Sequence, residues 1–381
     1  MREDELQSRT EVLELDRTLA VFDGQTIVGT AGIISFAITV PGGTALPCAG
    51  VTRVTVQSTH RRRGLLTAMM QRQLRDVHER AEPLAALYAS EAPIYGRFGY
   101  GVATYQALIE VEGSHSAFRS PVSAKGQTVM VDVPTAVETF TRISDKARPA
   151  QPGMVSMDER WWRMVLADPE RDRGGASPLY RVVYQGADGS EGFVLYRIKM
   201  SWSSSEEPNG EVRLQFLIAL TPEAYAALWR YLLEIDLITR LTSTMRPPEE
   251  PLRFLLLDSR QPRTTIFDGL WLRLVDVPSA LASRGYGREG HLVLRVRDNL
   301  CPWNDGVYAL EAGAGRAQCR PTSASPDLEI SAADLASVYL GGNRPSMLWQ
   351  AGRITEHRSG AVADANAMFA SEMVPWCPTH F

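Results

Sequence analysis

The stretch "VTVQSTHRRRGLL", residues 54–66, decides how the first third of this chain is read. Val54 and Val56 alternate as on the β-strand expected over 48–57. Three arginines then make a basic turn, and Gly64 opens a segment in which Leu65, Leu66, Met69, Met70, Gln73, Leu74 and Val77 recur at three- and four-residue steps. That spacing predicts an amphipathic helix to about Arg80. "LAALYAS" at 84–90 reads as a further buried strand, so 48–90 is expected to form a strand–helix–strand unit. A helix start after a strand offers unpaired N–H groups and the positive end of the helix dipole to an anion. Gly64 lets the backbone come close, and Arg61, Arg62 and Arg63 add charge-assisted contacts suited to a pyrophosphate with a ribose phosphate beside it. A solvated basic turn capping a surface helix is the plainer account of the arginines taken alone.

Working outward, β-rich runs at 18–22 and 26–38 flank Asp23-Gly24, a hairpin signal. After the polar stretch "GSHSAFRSPVSAKG" a second unit follows, with helical patterns in "PTAVETFTRI" and "MDERWWRMVLAD" and a hairpin around Asp188-Gly189. It then repeats strand (211–220), helix and strand, an order that suggests a degenerate internal duplication. "RPPEEP" at 246–251 breaks the chain, and "GLWLRLVDVPSALASRGYG" reads as a strand running into a helix that begins a third, α+β unit. The expected division is 1–115, 116–265 and 266–381.

With 381 residues, 44% hydrophobic and 22% charged, the chain has the composition of a globular protein of two or three domains. A net charge of −4 gives no basis for nucleic-acid binding. Three arginines without interleaved aromatic residues are too few for a nucleic-acid patch. Cys48, Cys301, Cys319 and Cys377 lack paired spacing, and no histidine pair has metal spacing, so no metal is implied. No apolar run reaches the length of a membrane span, and "MREDELQSRT" has no apolar signal core, which predicts a cytoplasmic protein.

The second stretch that bears on chemistry is "EAPIYGRFGYG", residues 91–101. Its glycines at 96, 99 and 101 do not follow the dinucleotide-binding order and do not open a long helix. The chain has no phosphate-binding GxxxxGK[ST] loop, no GxSxG nucleophile elbow and no HExxH. On composition alone, Tyr95 in this stretch is an ordinary packed aromatic residue.

Taken together, the order Arg61-Arg62-Arg63-Gly64-Leu65-Leu66 after a strand resembles the acyl-CoA motif R/Q-x-x-G-x-G/A of the GNAT acetyltransferases, with Leu66 where a small residue is usual. "IYGRFGY", "DGLWLRLVDVPSAL" with "RGY", and the apolar C-terminus extend the likeness over nearly the whole chain from about residue 18. The chain resembles the Eis (enhanced intracellular survival) N-acetyltransferase family. That resemblance implies a GNAT domain, a degenerate GNAT-like domain and a C-terminal domain similar to sterol carrier protein, with α/β and α+β character. It also implies acetyl-CoA as co-substrate, a small-molecule amine such as an aminoglycoside as acceptor, and a hexamer.

By the same resemblance Val54 and Val56 offer backbone groups to the pantetheine arm, with the Val54 N–H polarising the thioester. Arg61 to Gly64, with Leu65 and Leu66, cradle the phosphates, and Ser90 lies close to the thioester. Tyr95 matches the family's general acid, with Tyr100 as the fallback, and the carboxylate of Phe381 matches its base. Two departures stand out. The GNAT domain looks short of its first strand and helix, and His380 stands where an acidic residue often precedes the terminal Phe. Both leave room for a different role, a catalytically impaired CoA- or lipid-binding protein.

Overall fold

A computed structural model describes residues 11–112, 117–122, 125–313 and 315–381. The charged N-terminus and part of the polar separator at 113–126 lie outside the described residues. The described chain forms two compact units.

The first unit is Leu13–Tyr105, Pro149–Val155 and Asp268–Phe381. Its strands, numbered along the chain, are β1 (Leu19–Asp23), β2 (Thr26–Thr39), β3 (Ala45–Val56), β4 (Leu84–Tyr88), β5 (Gly101–Val102) and, after the other unit, β13 (Leu270–Leu274). They make one sheet in the order β1-β2-β3-β4-β13-β5. β1 and β2 form the expected hairpin, and β3 crosses through the helix Leu65–Glu79 to a parallel β4. The helix buries Met69, Met70, Gln73, Leu74 and Val77, the face set by its three- and four-residue spacing. Ile33, Ala49, Val51, Ala85 and Leu87 from the sheet meet it.

Two features differ from the sequence reading. The strand in "GLWLRLVDV" does not begin a separate sheet. As β13 it pairs antiparallel with β4, Leu270 to Tyr88 through Leu274 to Leu84, and with β5 on its other side. All five of its residues are buried, because the sheet is packed on both faces at this position. The run "GVATYQALIEVEG" at 101–113, which reads as one further strand in the sequence, is divided into Gly101–Val102 and Tyr105–Glu112. At Ala103 and Thr104 both backbone N–H groups donate to the Leu270 carbonyl, at 2.9 and 3.1 Å, which ends β5.

The same unit carries a five-stranded sheet, β16 (Arg316–Pro321), β15 (Gly306–Gly313), β14 (Gly290–Arg297), β17 (Leu328–Ser331) and β18 (Ile354–Glu356) in that order. The helix Ala332–Tyr339, capped by the Ser331 hydroxyl, packs on β13 and β5 as well as on β14 and β17. The C-terminal α+β segment thus shares a core with the first sheet.

The second unit, Gln106–Arg148 and Ser156–Phe267, holds a seven-stranded sheet. Its strands are β6 (Tyr105–Glu112), β7 (Gln127–Met130), β8 (Tyr180–Gly186), β9 (Gly189–Lys199), β10 (Gly210–Ala219), β11 (Ile238–Arg246) and β12 (Arg263–Asp268), ordered β12-β6-β11-β10-β9-β8-β7. β10 leads through the helix Pro222–Leu233 to a parallel β11, which repeats the β3–helix–β4 arrangement. Leu228, Trp229 and Leu232 of that helix pack on Val194, Val212 and Leu241. Phe140 stacks on Phe193 at 3.9 Å under the helix Val133–Ala147.

Because β13 closes the first sheet, its core residues should be costly to remove. Leu272→Ala, at a fully buried position, is expected to lose about 2–5 kcal/mol of stability. A lowered thermal midpoint checks this, and an unchanged one would contradict the placement of β13.

Candidate functional site

β3 and β4 run side by side for three register pairs only: Cys48–Leu84, Ala49–Ala85 and Gly50–Ala86. Beyond Gly50, β3 stays paired with β2 as far as Val56, while β4 ends at Tyr88, bound on its other side to Leu270. The two strands part, and the β4-facing backbone of Val51–Val56 has no paired strand among the described residues. A bulge adds to this. Between the Thr30–Thr55 and Gly32–Thr52 pairs, Arg53 and Val54 oppose the single residue Ala31, and Arg53 takes φ +53. Bulges re-aim backbone groups and side chains. Nothing in a non-glycine residue such as Arg53 signals this in the sequence.

The parting opens a cavity of about 750 Å³. Val54, Thr55 and Val56 line one wall, Arg61, Arg62, Gly64, Leu65, Leu66 and Thr67 a second, and Ser90, Ile94 and Tyr95 a third. Of the residues expected from the sequence, Arg63 is outside this lining: its guanidinium donates to the Thr59 carbonyl at 3.3 Å. His60, Glu91 and Arg97 also line the cavity and had not been singled out. His60 is held by Thr59 at 2.8 Å and by Asp23 at 3.0 Å, a hydrogen bond that keeps the Asp23 carboxyl below its ordinary value. That link spans from the β1–β2 hairpin, so no local pattern announces it.

The helix Leu65–Glu79 begins at the cavity. Gly64 is its N-cap at φ +80, with no side chain capping it, and the first helical bond runs from the Ala68 N–H to the Gly64 carbonyl. The N–H groups of Leu65, Leu66 and Thr67 are therefore left without helical acceptors. A Cβ on Gly64 would meet nothing within 4 Å, so the glycine is needed for its left-handed backbone and leaves open space before those donors. With Arg61 and Arg62 alongside, the arrangement can take a phosphorylated ligand.

Tyr95 ends the short helix Ala92–Tyr95 and packs edge-on against Tyr100, ring centroids 6.2 Å apart. Burial raises the Tyr95 phenol above its ordinary value, so it stays protonated at neutral pH. Tyr100, the fallback candidate, is 1% exposed and lies outside the cavity lining. Its buried hydroxyl has no hydrogen-bond partner, and burial pushes its pKa up strongly.

The C-terminus is docked, not frayed. Gln151 donates to the Val374 carbonyl and the Trp376 N–H to the Pro152 carbonyl, both at 2.9 Å, and residues 375–379 are buried. Phe381 then packs against Phe36 at 4.8 Å and edge-on to Tyr88 at 5.5 Å, while His380 stacks on Tyr88 at 3.9 Å. Ile33 and Leu87 face the helix Leu65–Glu79, so strand alternation puts Phe36 and Tyr88 on the opposite face. Tyr95 and Phe381 thus approach the parted strands from opposite faces of the sheet. Phe381 is not part of the cavity lining on the Tyr95 side. Burial beside Cys377 raises the Tyr88 phenol well above its ordinary value. Among the described residues no His, Cys, Asp and Glu group could hold a metal ion, and no helix is long and apolar enough to cross a membrane.

Comparison with known proteins bears on this geometry. Residues 1–103 and 153–274 each match an acetyltransferase (GNAT) domain family, and residues 277–378 match the sterol carrier protein domain family. An uncharacterized N-acetyltransferase of Streptomyces avermitilis is 43% identical over 97% of this chain and 90% of its own. The N-acetyltransferase Eis of Mycobacterium tuberculosis is 37% identical over 92% of this chain and 85% of its own. The crystal structure of Eis1 from Mycobacterium abscessus superposes with a TM-score of 0.85 at 35% identity, covering 97% of this chain and 92% of that one. The duplicated strand–helix–strand units thus correspond to two GNAT domains.

Tyr88 is the ring on which the last two residues rest, so Tyr88→Ala should release them. Carboxypeptidase is expected to remove Phe381 and His380 several-fold faster from the variant than from the parent, read by intact mass. Equal rates would show that the stacking does not hold the tail.

Proposed function

The chain belongs to the Eis family of N-acetyltransferases, and on that premise we propose that it moves the acetyl group of acetyl-CoA to a primary amine by direct attack where β3 and β4 part. The observation that carries this reading is the placement of a protonated phenol and of the chain terminus on the two faces of one parted strand pair.

Acetyl-CoA suits the cavity in size and in donor set. The phosphates meet the uncapped N–H groups of Leu65 to Thr67, with Arg61 and Arg62 beside them. The pantetheine arm runs along the free backbone edge of Val54 to Val56, extending the sheet as a strand would. The Val54 N–H donates to the thioester carbonyl and stabilises the negative charge that develops on it. The neutral amine adds to that carbonyl carbon, and the C–S bond then breaks. Tyr95 donates its phenolic proton to the departing CoA sulfur, and the Phe381 carboxylate accepts the proton that the amine nitrogen gives up. Proton return from the terminus through water to Tyr95 resets the site. No acyl-enzyme is formed, and Cys48, Cys301, Cys319 and Cys377 are all buried, free thiols.

The acceptor is a small primary amine, with aminoglycosides as the first class to try. His380 in place of an acidic residue weakens the pull on polycations, so mono- and diamines should compete well with them. A hexamer in the cytoplasm completes the proposal by analogy with the family.

Thiol release from acetyl-CoA with a panel of amines tests the activity. Tight CoA binding with no turnover across the panel would overturn the enzyme reading in favour of a binding role. Tyr95→Phe is expected to lower kcat by about 10²–10⁴-fold with acetyl-CoA affinity unchanged. The raised Tyr95 pKa sets the sign of the pH dependence: the acid form is complete at neutral pH and is lost only as pH rises through a value above the ordinary ~10. The alkaline limb of kcat should therefore fall above that value, and a limb near neutral pH that vanishes in Tyr95→Phe would contradict the assignment. Adding one glycine after Phe381 displaces the carboxylate and should cut turnover at least tenfold, roughly the floor for losing a general base, while leaving CoA affinity alone. Unchanged turnover would end the role of the terminus.

A further inference from the structure

Arg273 lies in the middle of β13 and is fully buried. Alternation puts it on the same face as Trp271, which belongs to the cluster that also contains Tyr95, Phe98 and Tyr100. One side of its guanidinium is spoken for. Nη2 pairs with Asp298, whose other oxygen accepts the N–H groups of Leu300 at 3.1 Å and Cys301 at 3.0 Å. The other side is less well held: Nε and Nη1 meet no oxygen or nitrogen acceptor, and the Cys301 thiol, a weak acceptor, is the polar group beside the guanidinium. That side lies against Gly99. A Cβ there would stand 2.6 Å from the guanidinium carbon and 2.9 Å from Nε, so only a glycine allows the contact. Gly99 is also the residue at which the chain reverses, at φ +81, between the turn carrying Tyr95 and β5. A well-packed apolar side chain would fill this space at less cost than a buried cation whose remaining donors have at most a thiol to meet.

We propose that Arg273 is a positioning residue for acetyl transfer: clamped by Asp298, its guanidinium holds the Gly99 reversal and through it the direction in which the Tyr95 phenol points. The C-terminal α+β segment, which supplies both Arg273 and Asp298, thereby sets the geometry of an acid carried by the N-terminal segment. This rests on the reading of Tyr95 as the acid.

The test is a double-mutant cycle on the full chain. Arg273→Met keeps the length of the side chain and removes the planar, charged head. In the parent background it is expected to lower kcat about tenfold or more while the KM for acetyl-CoA stays within about twofold. In the Tyr95→Phe background the same substitution should change the residual kcat by less than about twofold, because the group it positions is already gone. A variant that merely loosens the fold would lower kcat by the same factor in both backgrounds, and that result, or no loss in the parent, would overturn the proposal. Asp298→Asn, which keeps the shape and removes the clamping charge, carries the same cycle should Arg273→Met not yield folded protein. The two readings fail separately. A fully active Tyr95→Phe sinks the acid assignment, whereas an inactive Tyr95→Phe with equal Arg273→Met factors sinks only the positioning role.

Discussion

Three backbone register pairs, Cys48–Leu84 to Gly50–Ala86, are the constraint on which the site depends. Were β3 and β4 paired along their whole length, no edge would be free and no cavity would open. They part because each has another partner beyond that point: β2 holds β3 to Val56, and β13 holds β4 to Tyr88. Each strand satisfies its buried backbone groups on the outer side, and the inner side is left to a ligand. The bulge at Arg53 and Val54 adds to the divergence.

β13 comes from beyond residue 267, after the whole second unit. The first sheet is thus completed by the same segment that supplies the docked terminus and the buried Arg273–Asp298 pair. That shared construction gives a physical reason for a sterol-carrier-like domain to accompany a GNAT domain in one compact unit. The helix Ala332–Tyr339 of that domain packs on β13 and β5 of the sheet that bears the cavity, and the tail after it ends against Phe36 and Tyr88.

Much of this was legible in the residues. The strand–basic turn–helix pattern placed Gly64 and the parallel pair correctly, and the hairpins at Gly24 and Gly189 follow from their turn residues. Pattern alone does not assign a strand to a sheet, so "LWLRL" read as a strand but not as the neighbour of β4. Nothing in the sequence singles out Arg273 within that strand. Its burial is set by Asp298 and Gly99, respectively 25 and 174 residues away, which no local period encodes. The candidate site divides the same way. Val54, Gly64 and Ser90 are positioned by local structure, whereas the place of Phe381 depends on contacts with Phe36 and Tyr88 some 300 residues earlier.

The central claim is that acetyl transfer takes place between the parted strands with the Tyr95 phenol on one side. A crystal structure of the protein with CoA bound measures this most directly. The account predicts the CoA sulfur between Val54 and Ser90, within hydrogen-bond distance of the Tyr95 hydroxyl, with the phosphates at the N–H groups that follow Gly64. A sulfur placed elsewhere, with Tyr95 turned away from it, would contradict it.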